Sequence, residues 1–223
     1  MIAKTMNQQL YSVEFEIEGP AAMFTRPDAG SAPVSYPVPT YSAAKGMFEA
    51  VVRLKSAYIK PTRVEILKPI RFESYVTNYG GPLRKPNQRN YQLAATILVD
   101  VHYRIYGEIH GKFSVRDNGK TKKTRPRSGK KDHCKLLKDN FDEKLENGCT
   151  FYAPCLGWKE FLPTYFGPIR EKDKLPCSEI TVIIPSILHS MWENQRLQPT
   201  FKQDWEIVRG VMSYETRRPA NAE

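Results

Sequence analysis

At 223 residues, with 40% hydrophobic and 11% aromatic residues, the chain is too apolar for wholesale disorder and long enough to bury one sizeable core or two small ones. Thirty-four Lys and Arg against 24 Asp and Glu leave a formal net charge of +10, which points to a polyanionic partner. Met1 to Gln9 carry no basic segment leading into an apolar stretch, and no apolar run approaches the roughly 18 residues that span a bilayer. The expectation is an intracellular, cytoplasmic protein with no membrane partner.

In chain order, Tyr11–Ile17 alternates with period two and predicts a half-buried first strand ending at Gly19-Pro20. A loop rich in Pro, Gly and Ser follows. Thr40 can cap a first helix whose apolar residues Ala44, Met47, Phe48, Val51 and Leu54 recur at steps of three and four. Arg63–Phe72 reads as a second strand interrupted by Pro69, which places the interruption at an edge or bulge. Thr77–Asn90 has turn chemistry and carries Arg84, Lys85 and Arg89 with no acid, as in a projecting hairpin tip. Gln92–Phe113, with Ile97, Val99, Val101, Tyr103 and Ile105 in strict alternation, predicts a long third strand.

Between Gly111 and Asp132 there are nine Lys or Arg against two Asp, so this stretch alone holds +7 of the net +10. Gly, Pro, Ser and Thr separate the charges, the composition of a phosphate-binding arm. Asp132 can cap a second helix with Cys134, Leu137, Phe141 and Leu145 on one face and Gly148 as its stop. Cys149–Leu156 reads as a fourth strand. The order strand, helix, strand, strand, helix, strand predicts an α+β fold of the ferredoxin-like, RNA-recognition-motif type over residues 1–161. From 162 to 223 the short segments Ile180–Ile184, Pro199–Trp205 and Val208–Met212 predict a small C-terminal antiparallel β-sheet subdomain. Cys134, Cys149, Cys155 and Cys177 form no CxxC pair and have no His at zinc-ligand spacing, so they read as reduced thiols, with no metal and no cofactor expected.

Several segments together resemble one family. The run Tyr36-Pro-Val-Pro-Thr-Tyr-Ser-Ala-Ala-Lys-Gly-Met-Phe-Glu49, then Lys68-Pro-Ile-Arg-Phe72, Asp100-Val-His-Tyr103 and Ala153-Pro-Cys-Leu-Gly-Trp-Lys-Glu-Phe161 are similar to the subtype I-C (Dvulg) CRISPR-associated endoribonuclease family of the RAMP superfamily. Ser186–Met191, Pro199–Lys202 and Arg209–Met212 continue the likeness. The resemblance implies a modified ferredoxin-like domain, a C-terminal sheet, and metal-independent cleavage of precursor CRISPR RNA within its repeat. It also implies retention of the crRNA 5′ handle in a type I Cascade complex, with the other Cascade backbone subunits and target DNA near the PAM as further partners.

Metal-free RNA cleavage needs a base for the 2′-OH proton, an acid for the leaving 5′-oxygen and a cation near the phosphate. His133 stands at the predicted start of the second helix, where backbone N–H groups attract phosphate. It matches the family's catalytic histidine, and Lys131 or Lys130 the lysine, with Asp132 intervening where the family commonly has the two adjacent. A gap-free alignment puts Val52 at the family's third catalytic position, and valine cannot move a proton. Tyr58-Ile-Lys-Pro-Thr62 resembles the family's Tyr-x-Lys-Pro-Thr segment, which makes Tyr58 the candidate equivalent, with Tyr41 behind it. Lys45, Arg84, Lys85, Arg89, Lys120, Lys122, Lys123, Arg125, Arg127 and Lys130 form the RNA-binding set, since phosphate contacts give affinity without sequence readout. His102 and His110 read as sheet positions and His189 as structural. Two functions follow: an endoribonuclease leaving a 2′,3′-cyclic phosphate, or a non-catalytic Cascade subunit capping the 5′ handle.

Overall fold

The computed structural model describes residues 11–79, 91–111, 132–193 and 196–215. Its elements are β1 (Tyr11–Ala22), α1 (Tyr41–Val51), β2 (Ala57–Ile66), β3 (Phe72–Tyr79), β4 (Tyr91–Gly111), α2 (His133–Glu146), β5 (Tyr165–Gly167), β6 (Val182–Glu193), β7 (Arg196–Val208) and β8 (Val211–Ser213). Among the described residues eight strands form one sheet in the order β5-β1-β4-β2-β8-β7-β6, with β3 paired to β4, and every strand pairing is antiparallel. The run β5-β1-β4-β2 is the strand order of a ferredoxin-like sheet, and α1 and α2 pack on one face of it. The fold is α+β, as the sequence predicts. No helix of the described residues is long and apolar enough to cross a membrane.

Both helices start where local chemistry says they should. The Thr40 hydroxyl accepts from the Ala43 amide at 3.2 Å, and the Asp132 carboxylate accepts from the Cys134 amide at 2.9 Å, so each cap satisfies an amide that the first turn leaves without a partner. Gly148, with φ +65°, follows α2 in the left-handed conformation that ends helices. The apolar stripes bury Ala44, Met47, Phe48 and Val51 from α1 and Leu137, Phe141 and Leu145 from α2. Phe48 meets Phe15 of β1 edge-on at 4.9 Å and Phe141 at 5.7 Å. Burial of each such ring contributes about 2–3 kcal/mol. Gly107 of β4 makes this packing fit, because a Cβ there would lie 2.9 Å from the Phe48 ring.

The strands depart from expectation in four places. β1 runs through Gly19-Pro20 to Ala22; β5 pairs with it only as far as Glu18, so Pro20 sits where β1 has a free edge and needs no donor. β2 begins at Ala57, not Arg63, and stops at Ile66; its irregularity is a bulge between Pro61 and Arg63, while Pro69 lies in the connection to β3. Cys149–Leu156 is not a strand. The Phe151 and Tyr152 amides there both donate to the Ala50 carbonyl, at 2.6 and 3.3 Å, closing the C-terminal end of α1 instead of a ladder. The strand beside β1 is β5. In the C-terminal part, β6 and β7 are long partners of 12 and 13 residues, and β8 bridges β7 to β2 so that the hydrogen-bonded sheet continues without a break. β3 and β4 pair from Phe72↔Leu98 to Tyr79↔Tyr91, which makes them the stem of the predicted hairpin; Arg84, Lys85 and Arg89 lie outside the described residues.

Candidate functional site

The long strand β4 organises the site. Its odd-numbered residues Val101, Tyr103, Ile105 and Ile109 face the helices and are buried. Its even-numbered residues His102, Arg104, Tyr106, Glu108 and His110 face the other way, beside Glu65, Arg63, Lys60 and Tyr58 of β2, whose bulge keeps the two alternations in phase. This outer face divides into two halves of different character.

One half is locked. Glu16, Glu65, His102 and Arg104 are each more than nine-tenths buried. His102 Nε2 lies 3.0 Å from Glu16, and Arg170 donates to Glu16 and Glu18 at 2.7 Å each. Arg104 donates to the backbone carbonyls of Lys174, at 2.7 Å, and Glu171. The segment after β5 is thereby tied across the sheet. Hydrogen bonds from Arg170 and Lys68 hold the Glu18 carboxyl down to about 2. Burial opposes the charged form of Glu16, yet hydrogen bonding from Arg170 and the His102 imidazole beside it keep its pKa below the usual value, while burial lowers His102 against the pull of Glu16. Two of the segments that resemble the family meet here: Lys68 reaches both Glu18 and Asp100 at 2.7 Å, and Arg71 pairs with Asp100, a residue of β4 held at φ +52°.

The other half is open and carries the sequence candidates. Tyr58 stacks on its pairing partner His110, with ring centroids 5.6 Å apart and planes 24° from parallel. The buried His110 Nε2 makes no hydrogen bond, with Glu108 3.6 Å away. At the adjoining strand end, His133 opens α2, and its Nδ1 lies 3.1 Å from the Ser56 hydroxyl, two residues before Tyr58. Asp132 takes a second bond from the Tyr11 hydroxyl at 3.2 Å, tying the helix start to β1. Between the end of α1, the start of β2 and α2 lies a cleft of ≈ 320 Å³, lined by Val52, Lys55, Ala57, Tyr58, Leu137 and Phe151 among others.

Tyr58 and His133 therefore flank the same corner, though among the described residues their side chains share no hydrogen bond or ring contact. Val52 is 6% exposed and caps α1 with its amide on Phe48, walling the cleft that Tyr58 also lines. Tyr41 is engaged elsewhere: it stacks on His189 at 4.3 Å, where Ser42 donates to the His189 carbonyl, so this pair joins α1 to β6. Burial raises the Tyr41 phenol, with nearby Tyr58 adding to the effect. Lys45 lies partly exposed on α1. Lys131, Lys130 and the arm residues Lys120, Lys122, Lys123, Arg125 and Arg127 lie outside the described residues; in the chain they join the end of β4 to the cap of α2. Three contributors escaped the sequence reading. Ser56 and Lys55 had no motif around them, and the partnership of His110 with Tyr58 needs the β2–β4 register, 52 positions apart.

A family model described as CRISPR-associated protein (Cas_Cas5), Cas5d type, matches residues 12–219. The chain belongs to the Cas5d family. The pre-crRNA endoribonuclease Cas5d of Mannheimia succiniciproducens is 31% identical to it over 191 residues, covering 76% of this chain and 77% of that protein. The enzyme of the same name from Thermus thermophilus is 28% identical over 162 residues, 70% of this chain and 63% of its own length. A crystal structure of a CRISPR-associated protein superposes with a TM-score of 0.67 at 17% identity over 94% of both chains, which establishes the shared fold. The Cas5d match thus spans both the ferredoxin-like sheet and the β6–β8 strands. Among its described residues, no group of three or more His, Cys, Asp or Glu is arranged to hold a metal ion.

Proposed function

We propose that this chain binds precursor CRISPR RNA, cuts it within the repeat without a metal, and keeps the 5′ handle in a type I surveillance complex. The observation that carries the reading is the corner where His133, fixed by Ser56 at the N-terminus of α2, adjoins the stacked Tyr58–His110 pair in a Cas5d-family chain. With Nδ1–H donating to the Ser56 hydroxyl, His133 Nε2 is the acceptor for the 2′-OH proton. The freed 2′-oxygen forms a bond to phosphorus, the bond from phosphorus to the 5′-oxygen breaks, and a proton from the Tyr58 phenol completes the leaving 5′-OH. Lys131 supplies the cation beside the phosphate, and the helix N-terminus adds backbone N–H groups. The products are a 2′,3′-cyclic phosphate and a 5′-OH.

Lys45, Lys130 and the basic residues of the arm and hairpin grip the RNA backbone in this reading. The site belongs to the part of the chain from 1 to 161. The exposed apolar residues Ile183, Leu197 and Phe201 of the β6–β7 hairpin, in the part from 162 to 223, are surface for other Cascade subunits. Placement near target DNA beside the PAM rests on the family alone.

The test is incubation with the cognate repeat RNA in EDTA, against a copy carrying a 2′-deoxy nucleotide at the cut. One product from the ribose substrate and none from the deoxy copy supports the reading. Intact RNA that shifts on a native gel overturns the enzyme and leaves the second reading, a handle-capping subunit without catalysis, which the buried Val52 at the family's third catalytic position favours.

A further inference from the structure

The cleft beside His133 has a shape and chemistry that the cleavage steps do not use. Its volume of ≈ 320 Å³ lies at the lower end of the range for small-molecule sites, ~300–1,000 Å³. Its floor is apolar, made by Val52, Ala57, Ile59 and Leu137. Its rim carries Lys55 and the Glu49–Arg53 pair, 3.6 Å apart on the surface. Phe151 stands at the edge, 65% exposed, the most exposed phenylalanine among the described residues. That exposure is not slack: the Phe151 amide donates to the Ala50 carbonyl at 2.6 Å, and the Tyr152 hydroxyl donates to the Gly46 carbonyl at 2.9 Å, so the ring is presented from backbone pinned to α1. A large apolar ring left in water beside a half-apolar cleft has the form of a stacking platform.

The cleft also adjoins the reactive corner directly. Lys55 and Ala57 flank the Ser56 that holds His133, and Leu137 is one helical turn beyond His133. We infer that this cleft is a nucleobase pocket: it takes the base of one unpaired nucleotide next to the scissile phosphate, stacked on Phe151, with Glu49 and Arg53 meeting its polar edge and Lys55 its phosphate. Charge selects this occupant over an apolar protein side chain, because the rim places the Lys55 ammonium and the Arg53 guanidinium, the latter beside Glu49, around an apolar floor, the combination that suits an aromatic base attached to a phosphate. The inference rests on the RNA-cleavage reading and names where that reaction's selectivity among nucleotides resides.

The experiment is a coupling measurement with the full chain and repeat RNA. Wild type, Phe151→Ala and Phe151→Trp are titrated against intact repeat RNA and against a set in which each nucleotide around the cut is made abasic in turn. The expected result is about tenfold weaker binding for Phe151→Ala, near-wild-type binding for Phe151→Trp, and one abasic position that weakens wild type by a similar factor yet costs Phe151→Ala nothing more. Equal losses for both proteins at every position, or no effect of Phe151→Ala, overturn the pocket while leaving the cleavage reading standing. Loss of binding to a neighbouring Cascade subunit in Phe151→Ala, with RNA binding intact, overturns it in favour of a protein contact. If wild type fails to bind repeat RNA at all, the pocket and the reading fall together. Because Phe151 is exposed, Phe151→Ala is expected to melt within about 2 °C of wild type, and thermal unfolding checks that each variant is folded.

Discussion

Tyr58→Phe removes a single oxygen and leaves the rest of the corner in place. The ring still stacks on His110 at 5.6 Å and still lines the cleft, and among the described residues the hydroxyl makes no hydrogen bond, so stability is expected to change by less than about 0.5 kcal/mol. RNA affinity should hold within about twofold, since phosphate contacts and stacking do not use the phenol. If the phenol delivers the proton to the leaving 5′-oxygen, the chemical step slows by about 10²- to 10⁴-fold, which is about 2.7–5.5 kcal/mol of barrier. Single-turnover cleavage in EDTA with protein in excess reads this step apart from product release. Tyr58→Ala is the companion variant: it additionally loses the stack, worth about 0.5–1.5 kcal/mol, so affinity or stability falls along with rate. Cleavage by Tyr58→Phe at the wild-type rate would remove Tyr58 from the chemistry and leave Val52 without a functional replacement.

His133→Ala should abolish cutting while retaining repeat binding, and Ser56→Ala should lower the rate about fivefold, the size of one partly exposed hydrogen bond; parallel gel-shift and cleavage assays separate the two effects. Replacing Lys120, Lys122, Lys123, Arg125 and Arg127 with Gln should weaken RNA binding over all sequences alike and flatten the plot of log affinity against log salt by about one unit for each phosphate contact removed. Glu18→Gln tests the locked half of the sheet. The Glu18 carboxyl is held from its ordinary 4.5 down to about 2, so its stabilisation is complete above pH 4.5 and disappears as pH falls toward 2. With the side chain a quarter exposed, the contribution is about 1–3 kcal/mol. Urea unfolding should find wild type more stable than Glu18→Gln by that amount at pH 7, with the gap reduced to about a quarter near pH 2.5; an unchanged gap at both pH values would refute the pairing.

What the sequence disclosed was local. Thr40 and Asp132 signal helix starts through their own side chains, and the spacing of Met47, Phe48 and Val51 or of Leu137, Phe141 and Leu145 announces which face is buried, so both helices lie where expected. β4 is legible for the same reason, since strict alternation over many residues admits few other structures. Prolines misled. Pro61 sits inside a strand because the β2–β4 ladder bulges beside it, whereas Pro69 lies in a connection, and no local signal separates the two cases. Cys149–Leu156 has strand-like composition, but its Phe151 and Tyr152 amides serve α1, a tertiary choice that composition does not encode. β5, three residues long, is too short to show a period. At the site, His133 and Tyr58 were visible through the family pattern, whereas Ser56, His110 and Phe151 acquire meaning only when strand register and the end of α1 bring them to the same corner.

The division of the outer sheet face supports the proposal that the chemistry takes place at that corner. A ferredoxin-like sheet offers its helix-free face as a platform on which single-stranded RNA can stack. Here the part of that face built from Glu16, His102 and Arg104 is covered by the segment that Arg104 holds through the carbonyls of Glu171 and Lys174, leaving those charged residues more than nine-tenths buried. Opening it for RNA would break the Glu16 and Glu18 pairs with Arg170 and strand buried charge, at a cost of several kcal/mol. The uncovered part is the end bearing Tyr58 and His110, and it adjoins both the α2 N-terminus with His133 and the apolar cleft edged by Phe151. In the proposed reading, RNA gripped by the basic residues between β4 and α2 would meet, among the described residues, an end of the sheet that joins the Tyr58–His110 stack, the His133 imidazole held by Ser56 and the cleft edged by Phe151.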